Sequence, residues 1–439
     1  KGCLSKACMS SFNNAQTLIQ LASADETPQS SFEHFKPGTK NQNHQLLVIL
    51  PNKGFVQVTD LGDGRAALTL CHKITSSEDS LEKLILPIQN VYSSFKVEKL
   101  SIQFIPWNFG WETSFNTAMG SWYTEIIGNS ERFSNLTVCR IPISLRLLSL
   151  IPSVIGKNLI ELQLQSGGSH LELNFASPDL SEINLELSDL NINKKIYQEI
   201  NGYQLIFEQI NVKYLAAISK GLMCLNSHNC PKLKSLEIGF NNVIDRVVFT
   251  GMAAKIVLEQ TAKLSKLSLH KCYYLNPSSF DDLRHHRTLT DLNLSVTECN
   301  DSTLRTLAEH CKDLKKLDLY HTPTTDDGLL AIIQSCTELE FLNIARMNKT
   351  PTVFSDRSIN LLYLLPNLRV FLAHHNAISD VGVQNGIRHC AQLCEVNLSY
   401  NCLTDVGKKI LLESCGKLRH LDVTRNSESD QSLKRKTPS

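Results

Sequence analysis

Leu289-Thr290-Asp291-Leu292-Asn293-Leu294, Leu314-Lys315-Lys316-Leu317-Asp318-Leu319 and Leu339-Glu340-Phe341-Leu342-Asn343-Ile344 are three copies of one phrase, L-x-x-L-x-L, set 25 residues apart. Leu264, Leu267 and Leu269 hold the same phase one step upstream, and Leu233, Leu236 and Ile238 stand 31 residues before those. After a four-residue insertion the phrase returns as Leu368, Phe371, Ala373, then as Leu393, Val396, Leu398 and as Leu418, Leu421, Val423. Self-similarity at a fixed period of this length is the mark of a repeat architecture.

The phrase reads as a short strand. Side chains alternate between faces along a strand, so the leucines point in and the residues between them point out. A helix then returns the chain antiparallel to it. One unit cannot bury its apolar face alone, whereas stacked units bury a continuous core. The expected fold is an α/β leucine-rich-repeat solenoid, a curved right-handed horseshoe with parallel strands on the concave face and helices on the convex face.

Two further ladders keep the register. Asp245, Asn276, Asp301, Asp326, Asp380, Asp405 and Asp430 each stand twelve residues after the first leucine of their unit, and Asp356 is displaced by the insertion. Asp and Asn suit a helix start, where they accept bonds from free backbone N–H groups, so these are read as helix caps. Gly328, Gly382 and Gly407 follow their Asp by two, a position read as too close to a neighbouring unit for a Cβ. Cys230, Cys311, Cys336, Cys390 and Cys415 each precede the first leucine by three. They are read as small, soft packing residues at the end of the preceding helix, reduced and unpaired.

Earlier in the chain the pattern loosens. Leu159, Leu162, Leu164 and Leu180, Ile183, Leu185 fit the strand template; Val97, Leu100, Ile102 and Phe133, Leu136, Val138 fit less closely. Val212–Leu225 reads as a helix with Leu215, Ile218 and Leu222 on one face. The expected organisation is a flexible polar lead-in over 1–45, divergent repeats with irregular insertions over 46–229, regular cysteine-containing repeats over 230–426 and a polar tail over 427–439. A separate α/β cap domain is the other reading of about residues 60–230. The basic run Lys434-Arg435-Lys436 reads as a solvated tail.

Composition excludes several functions. The 44 basic and 43 acidic residues leave a formal charge of +1, which is no footprint for nucleic acid or an anionic membrane. No apolar run is long enough for a membrane span. The 14 cysteines, five of them at one repeat phase, point to reduced thiols and a cytoplasmic or nuclear location. No phosphate loop, nucleophile elbow or H-E-x-x-H motif appears. Cys390 and Cys394, the tightest cysteine spacing, read as core packing and not as zinc ligands. The adjacent pairs His285-His286 and His374-His375 read as solvated or partner-facing. Accordingly no catalytic residue, cofactor or metal is expected, and the chain is not read as an enzyme.

Residues 230–426 resemble the cysteine-containing repeats of F-box/leucine-rich-repeat (Amn1-like) proteins. The strand leucines, the cysteine before each strand, and the phrases Thr325-Asp326-Asp327-Gly328-Leu329, Ser379-Asp380-Val381-Gly382-Val383 and Thr404-Asp405-Val406-Gly407 carry the resemblance. It implies a substrate-recognition part of a cullin-type ubiquitin ligase receptor, gripping a protein on its concave face. A Skp-type adaptor is implied only if an F-box lies upstream of Lys1: Leu50-Pro51 is followed by Asn52-Lys53-Gly54, which reads as a turn. A non-catalytic scaffold or adaptor repeat protein without an F-box is the other reading.

The outward strand positions nominate the binding site. One column reads Ser268, Asn293, Asp318, Asn343, Leu372, Asn397, Asp422. The next reads His270, Ser295, Tyr320, Ala345, His374, Ser399, Thr424, and the strand ends carry Lys271, His321, Arg346, His375, Tyr400 and Arg425. Tyr, His and Arg are strong interface anchors. The partner strip is therefore expected at Tyr320, His321, Arg346, His374, His375, Tyr400 and Arg425, all exposed.

Overall fold

The computed structural model describes residues 17–21, 45–49, 55–73, 96–105, 133, 135–142, 156–165, 225, 228–239, 251–272, 275, 277–347 and 354–426. The chain forms two compact units that divide near Leu233.

In the first unit, β1 (Thr17–Leu21) pairs in parallel with β2 (Gln45–Ile49). The stretch 1–45, read as a flexible lead-in, thus contributes a strand, because Thr17-Leu18-Ile19-Gln20-Leu21 is an apolar, β-branched segment able to join a sheet. Next come β3 (Phe55–Gly62) and β4 (Arg65–Lys73), and β2, β3 and β4 run antiparallel. Asp63 and Gly64 both have positive φ, 55° and 72°, the geometry of a two-residue hairpin turn. This meander departs from the parallel repeats expected from residue 46 on. Parallel pairing then resumes through β5 (Lys96–Ile105), β6 (Val138–Pro142) and β7 (Glu161–Gln165). Leu68, Leu100, Cys139 and Leu162 form one buried row. The template read at Phe133 therefore starts at Leu136, since Cys139, three residues on, is the inward partner of Leu100. Leu180–Leu185 and most of Val212–Leu225 lie outside the described residues.

The second unit is the regular block. Its strands are β8 (Ser235–Gly239), β9 (Lys266–Ser268), β10 (Asp291–Asn293), β11 (Lys316–Asp318), β12 (Phe341–Asn343), β13 (Val370–Leu372), β14 (Glu395–Asn397) and β15 (His420–Asp422). All neighbouring pairs are parallel and in register. Leu236, Leu267, Leu292, Leu317, Leu342, Phe371 and Val396 make a continuous buried row; burying each contributes about 1.5–3 kcal/mol. The returning helices are α1 (Gly251–Gln260), α2 (Asp301–His310), α3 (Asp326–Ser335), α4 (Asp356–Ile359), α5 (Asp380–Asn385) and α6 (Asp405–Ser414), with 3-10 turns at Pro277–His285, Leu362–Leu364 and Ile387–His389. These in-register parallel strands, each followed by a helical return at the sequence period, are the leucine-rich-repeat solenoid.

The aspartate ladder is not the set of helix caps. Asn300, Thr325, Ser355, Ser379 and Thr404, one residue earlier, are the caps. Asp301, Asp326, Asp356 and Asp380 each open a helix and reach into the next unit. Asp301 accepts from the Thr325 N–H at 2.7 Å and the Thr325 hydroxyl at 2.6 Å. Asp356 and Asp380 hold Ser379 and Thr404 in the same way. A Cβ on Gly328 would lie 2.5 Å from Asp301 Oδ1, so the glycine leaves room for the bridging carboxylate. Asp245, Asn276 and Asp430 lie outside the described residues.

The cysteine ladder is buried and unpaired. Cys311 Sγ donates to the carbonyls of Leu283 and His286, Cys336 Sγ to that of Cys311, and Cys390 Sγ to that of Leu362. Burial pushes these three thiols up to about 12. His286 stands at the cysteine phase of its own unit and is fully buried, with Nε2 2.8 Å from the Leu258 carbonyl. The solvated role expected of His286 is therefore wrong: three residues before a strand leucine, a side chain enters the core whatever its polarity. A third ladder, Asn376, Asn401 and Asn426, is also buried. Asn401 Nδ2 donates to three carbonyls, and Asn426 Oδ1 accepts from the N–H groups of Asn401 and Leu403. These bonds satisfy backbone groups that leave the strand ladder at each corner.

Candidate partner-binding face

The strand ends of the second unit are shaped by one repeated bond. In five units the outward Asn or Asp accepts from the N–H two residues on: Ser295 to Asn293, Tyr320 to Asp318, Ala345 to Asn343, Ser399 to Asn397 and Thr424 to Asp422, at 2.9–3.1 Å. The Asn/Asp column thus does more than solvate the sheet. It finishes each strand with a local side-chain turn. Burial raises the carboxyl of Asp318, against the pull of these bonds.

The following residue then takes a left-handed conformation. Lys271, Val296, His321, His375, Tyr400 and Arg425 all have φ between 54° and 61°. Such φ costs a side-chain-bearing residue about 1–2 kcal/mol. The N–H groups of Lys271, Val296, His321, His375 and Tyr400 each donate to the next unit, at 2.7–3.1 Å; Arg346 makes the same bond to the His374 carbonyl without the positive φ.

This corner brings most of the expected strip together. His375 stacks on Tyr400, with ring centroids 3.9 Å apart and an interplanar angle of 21°. The Arg425 guanidinium lies 5.2 Å from the Tyr400 centroid. His374 meets His375 edge-on at 5.4 Å, and Tyr320 lies 6.0 Å from His374 and 6.2 Å from His321. Ala345, between Tyr320 and His374 in the same row, has only a methyl side chain, too short to separate them. Burial lowers the pKa of His321, with Arg346 adding to it, and burial lowers that of His374 against the opposing pull of Asp422. Arg425 is exposed and the five rings are half-buried.

Arg346 is the exception, and its expected exposure is overturned. It is 4% exposed. Its Nη2 donates to the Thr324 carbonyl at 2.6 Å, and the guanidinium lies 4.9 Å from the Phe354 ring centroid. Burial lowers its pKa to about 10, so it stays charged at neutral pH. Arg346 alone of its column lacks the positive φ, and it packs inward beneath Phe354.

The sheet face also carries an apolar block that the strip omitted. Phe341 pairs in register with Val370, and Leu372 with Asn343. All three apolar side chains project from the outward positions and are half-buried. The flanking strands offer Lys316 and Asp318 on one side and Glu395 and Asn397 on the other. Apolar residues at outward strand positions, in two adjacent repeats only, were the available signal. An apolar centre inside a polar rim is the anatomy of an interaction surface.

Among the described residues no group of three or more His, Cys, Asp or Glu is placed to hold a metal ion, and no helix is long and apolar enough to cross a membrane. No protein-family model matches the chain. Among solved structures, internalin C2 of Listeria monocytogenes is 21% identical with a TM-score of 0.33, over 46% of this chain and 74% of that one. The internalin inlF of the same organism is 14% identical with a TM-score of 0.39, over 82% of this chain and 87% of that one. The leucine-rich-repeat assignment rests on the register of β8–β15 themselves.

Proposed function

We propose that the second unit is a protein-binding module whose partner docks on the outward face of β11–β15, across the strip Tyr320, His321, His374, His375, Tyr400 and Arg425 and the block Phe341, Val370 and Leu372. One observation carries this reading: rings from three repeats follow one another in a row, tilted between Tyr320 and His374 and stacked between His375 and Tyr400. Aromatic side chains supply large contact area at low entropic cost and keep a polar edge for hydrogen bonds. Arg346 serves this face from beneath, holding the corner between Tyr320 and His374.

The finer reading is that this module is the substrate-recognition part of a cullin-type ubiquitin ligase receptor. It rests on the cysteine and Asp-x-Gly phrases, which hold together in the structure as two inter-unit ladders. The test is affinity capture from cell extract with the wild-type chain and with His375→Ala/Tyr400→Ala. Lys409→Glu on the exposed side of α6 serves as the control. The binding face is supported if the double variant alone loses partners, and discarded if only the α6 variant loses them. The ligase reading further requires a Skp-type adaptor and a cullin in complexes of the full-length protein; their absence leaves a scaffold protein.

A further inference from the structure

At the opposite end of the same strands an open groove runs beneath β12–β15, lined among others by Glu340, Arg369, Cys394, Lys417, Leu418 and Arg419. Its charges do not balance. Glu340 is paired with Lys315 at 3.6 Å, and Lys417 donates to Gln392. Arg369 and Arg419 are exposed, and neither guanidinium has a side-chain partner among the described residues. An arginine at a groove whose one lining carboxylate is already paired elsewhere is a ready donor for an anionic group. Half-buried Cys394 and Leu418 supply apolar wall between and beside the two charges.

The repeat sets their spacing. Arg369 and Arg419 each precede the first outward residue of their strand, and Val370, Glu395 and His420 are in register across β13, β14 and β15. The two arginines therefore stand two strands apart, about 10 Å. A polyproline-II segment rises about 3.1 Å per residue with three residues per turn, so its side chains i and i+3 share a side about 9 Å apart. A β-strand puts i and i+3 on opposite faces and does not match.

We infer that this groove is a second binding site, separate from the ring row, for an extended acidic peptide segment bearing two anionic side chains three residues apart. The segment lies across the strands, with one carboxylate or phosphate on Arg369 and the other on Arg419, and with Lys417 adding attraction. The site needs neither Tyr400 nor His375, so it stands or falls independently of the proposed partner face.

The test uses the full chain and fluorescein-labelled 12-residue peptides carrying Glu-Pro-Pro-Glu, with Gln-Pro-Pro-Gln as the neutral control, read by fluorescence anisotropy at low and physiological salt. The acidic peptide is expected to bind, to weaken as salt rises, and to lose about threefold to fivefold affinity with Arg369→Gln or Arg419→Gln. The variant Arg369→Glu/Arg419→Glu should abolish binding and accept the matching Lys-Pro-Pro-Lys peptide. His375→Ala/Tyr400→Ala should bind the acidic peptide as the wild type does. Unchanged thermal unfolding of the arginine variants shows that the fold is kept. Equal binding of the glutamate and glutamine peptides, or undiminished binding by the double reversal, overturns the site. Tighter binding of a single-stranded oligothymidylate than of the acidic peptide overturns the peptide assignment.

Discussion

Asp326 of one repeat and Ser355 of the next are joined twice: the carboxylate accepts the Ser355 backbone N–H at 3.0 Å and the Ser355 hydroxyl at 2.5 Å. A third bond comes from the Ser358 hydroxyl at 2.5 Å. The Asp ladder is thus a set of staples between units, placed where only stacking can bring the partners together.

Removing a staple should therefore cost more than removing a cap. Asp326→Ala leaves a half-buried N–H and two hydroxyls without their acceptor and should lower stability by about 2–4 kcal/mol, against the ~1 kcal/mol of a simple cap. Leu317→Ala, which empties part of the central row, should cost about 2–5 kcal/mol. Urea unfolding of both variants checks this; a loss below 1 kcal/mol for Asp326→Ala would deny the staple its weight.

Gly328→Ala should destabilise, although alanine is the better helix former by up to ~1 kcal/mol. The new methyl would meet Asp301 Oδ1 at 2.5 Å and Leu304 Cδ1 at 2.9 Å. In an Asp301→Ala background the same change should cost less, with Leu304 Cδ1 at 2.9 Å and the residue 301 Cα at 3.0 Å still to be met. Additive losses in this double-mutant cycle would show that the glycine and the staple are independent.

Cys311, Cys336 and Cys390 should resist maleimide in the native protein and react fully after denaturation, since burial removes both access and thiolate. Of the cysteines placed in the structure, exposed Cys402 should label first and half-buried Cys394 more slowly. Mass spectrometry of partly labelled protein reads the order, and early labelling of the three ladder thiols would contradict the packing.

His286 predicts a pH dependence of stability. Burial lowers its pKa from the ordinary 6.5, with His285 adding to the effect, while the bond to Leu258 and the charge of Asp282 oppose it. The unfolded chain takes up a proton that the folded ring refuses, so the neutral ring's contribution is complete above about pH 6.5 and is lost as pH falls through the folded value. Urea midpoints at pH 7.5 and 5.5 should converge in His286→Cys, which restores the ladder residue. His270, His321 and His374 are also lowered, so a residual slope belongs to them; an unaltered slope would clear His286 of any part.

What the chain states locally could be read from it alone. The leucine period marks which residues of β8–β15 face inward, because strand alternation and burial are decided within six residues. The cysteine phase and the glycine at Asp+2 were legible for the same reason: each recurs once per unit, and recurrence exposes a constraint before its cause is known. The β3–β4 hairpin was legible too, in Asp63-Gly64 between alternating residues. Phe341 and Val370 were likewise visible as apolar residues at outward positions.

Only stacking decided the rest. Asp326 finds Ser355 across 29 residues, so its target could not be seen beside it, and a helix-start aspartate was read as the nearest thing it resembles, a cap. Tyr320 meets His374 because the intervening position in their row is an alanine, a fact of three units together. Arg346 occupies the same column as Tyr400 and Arg425, yet Phe354 covers its guanidinium. Sequence phase assigns a side chain to a face; whether that face is open depends on what the neighbouring unit lays over it.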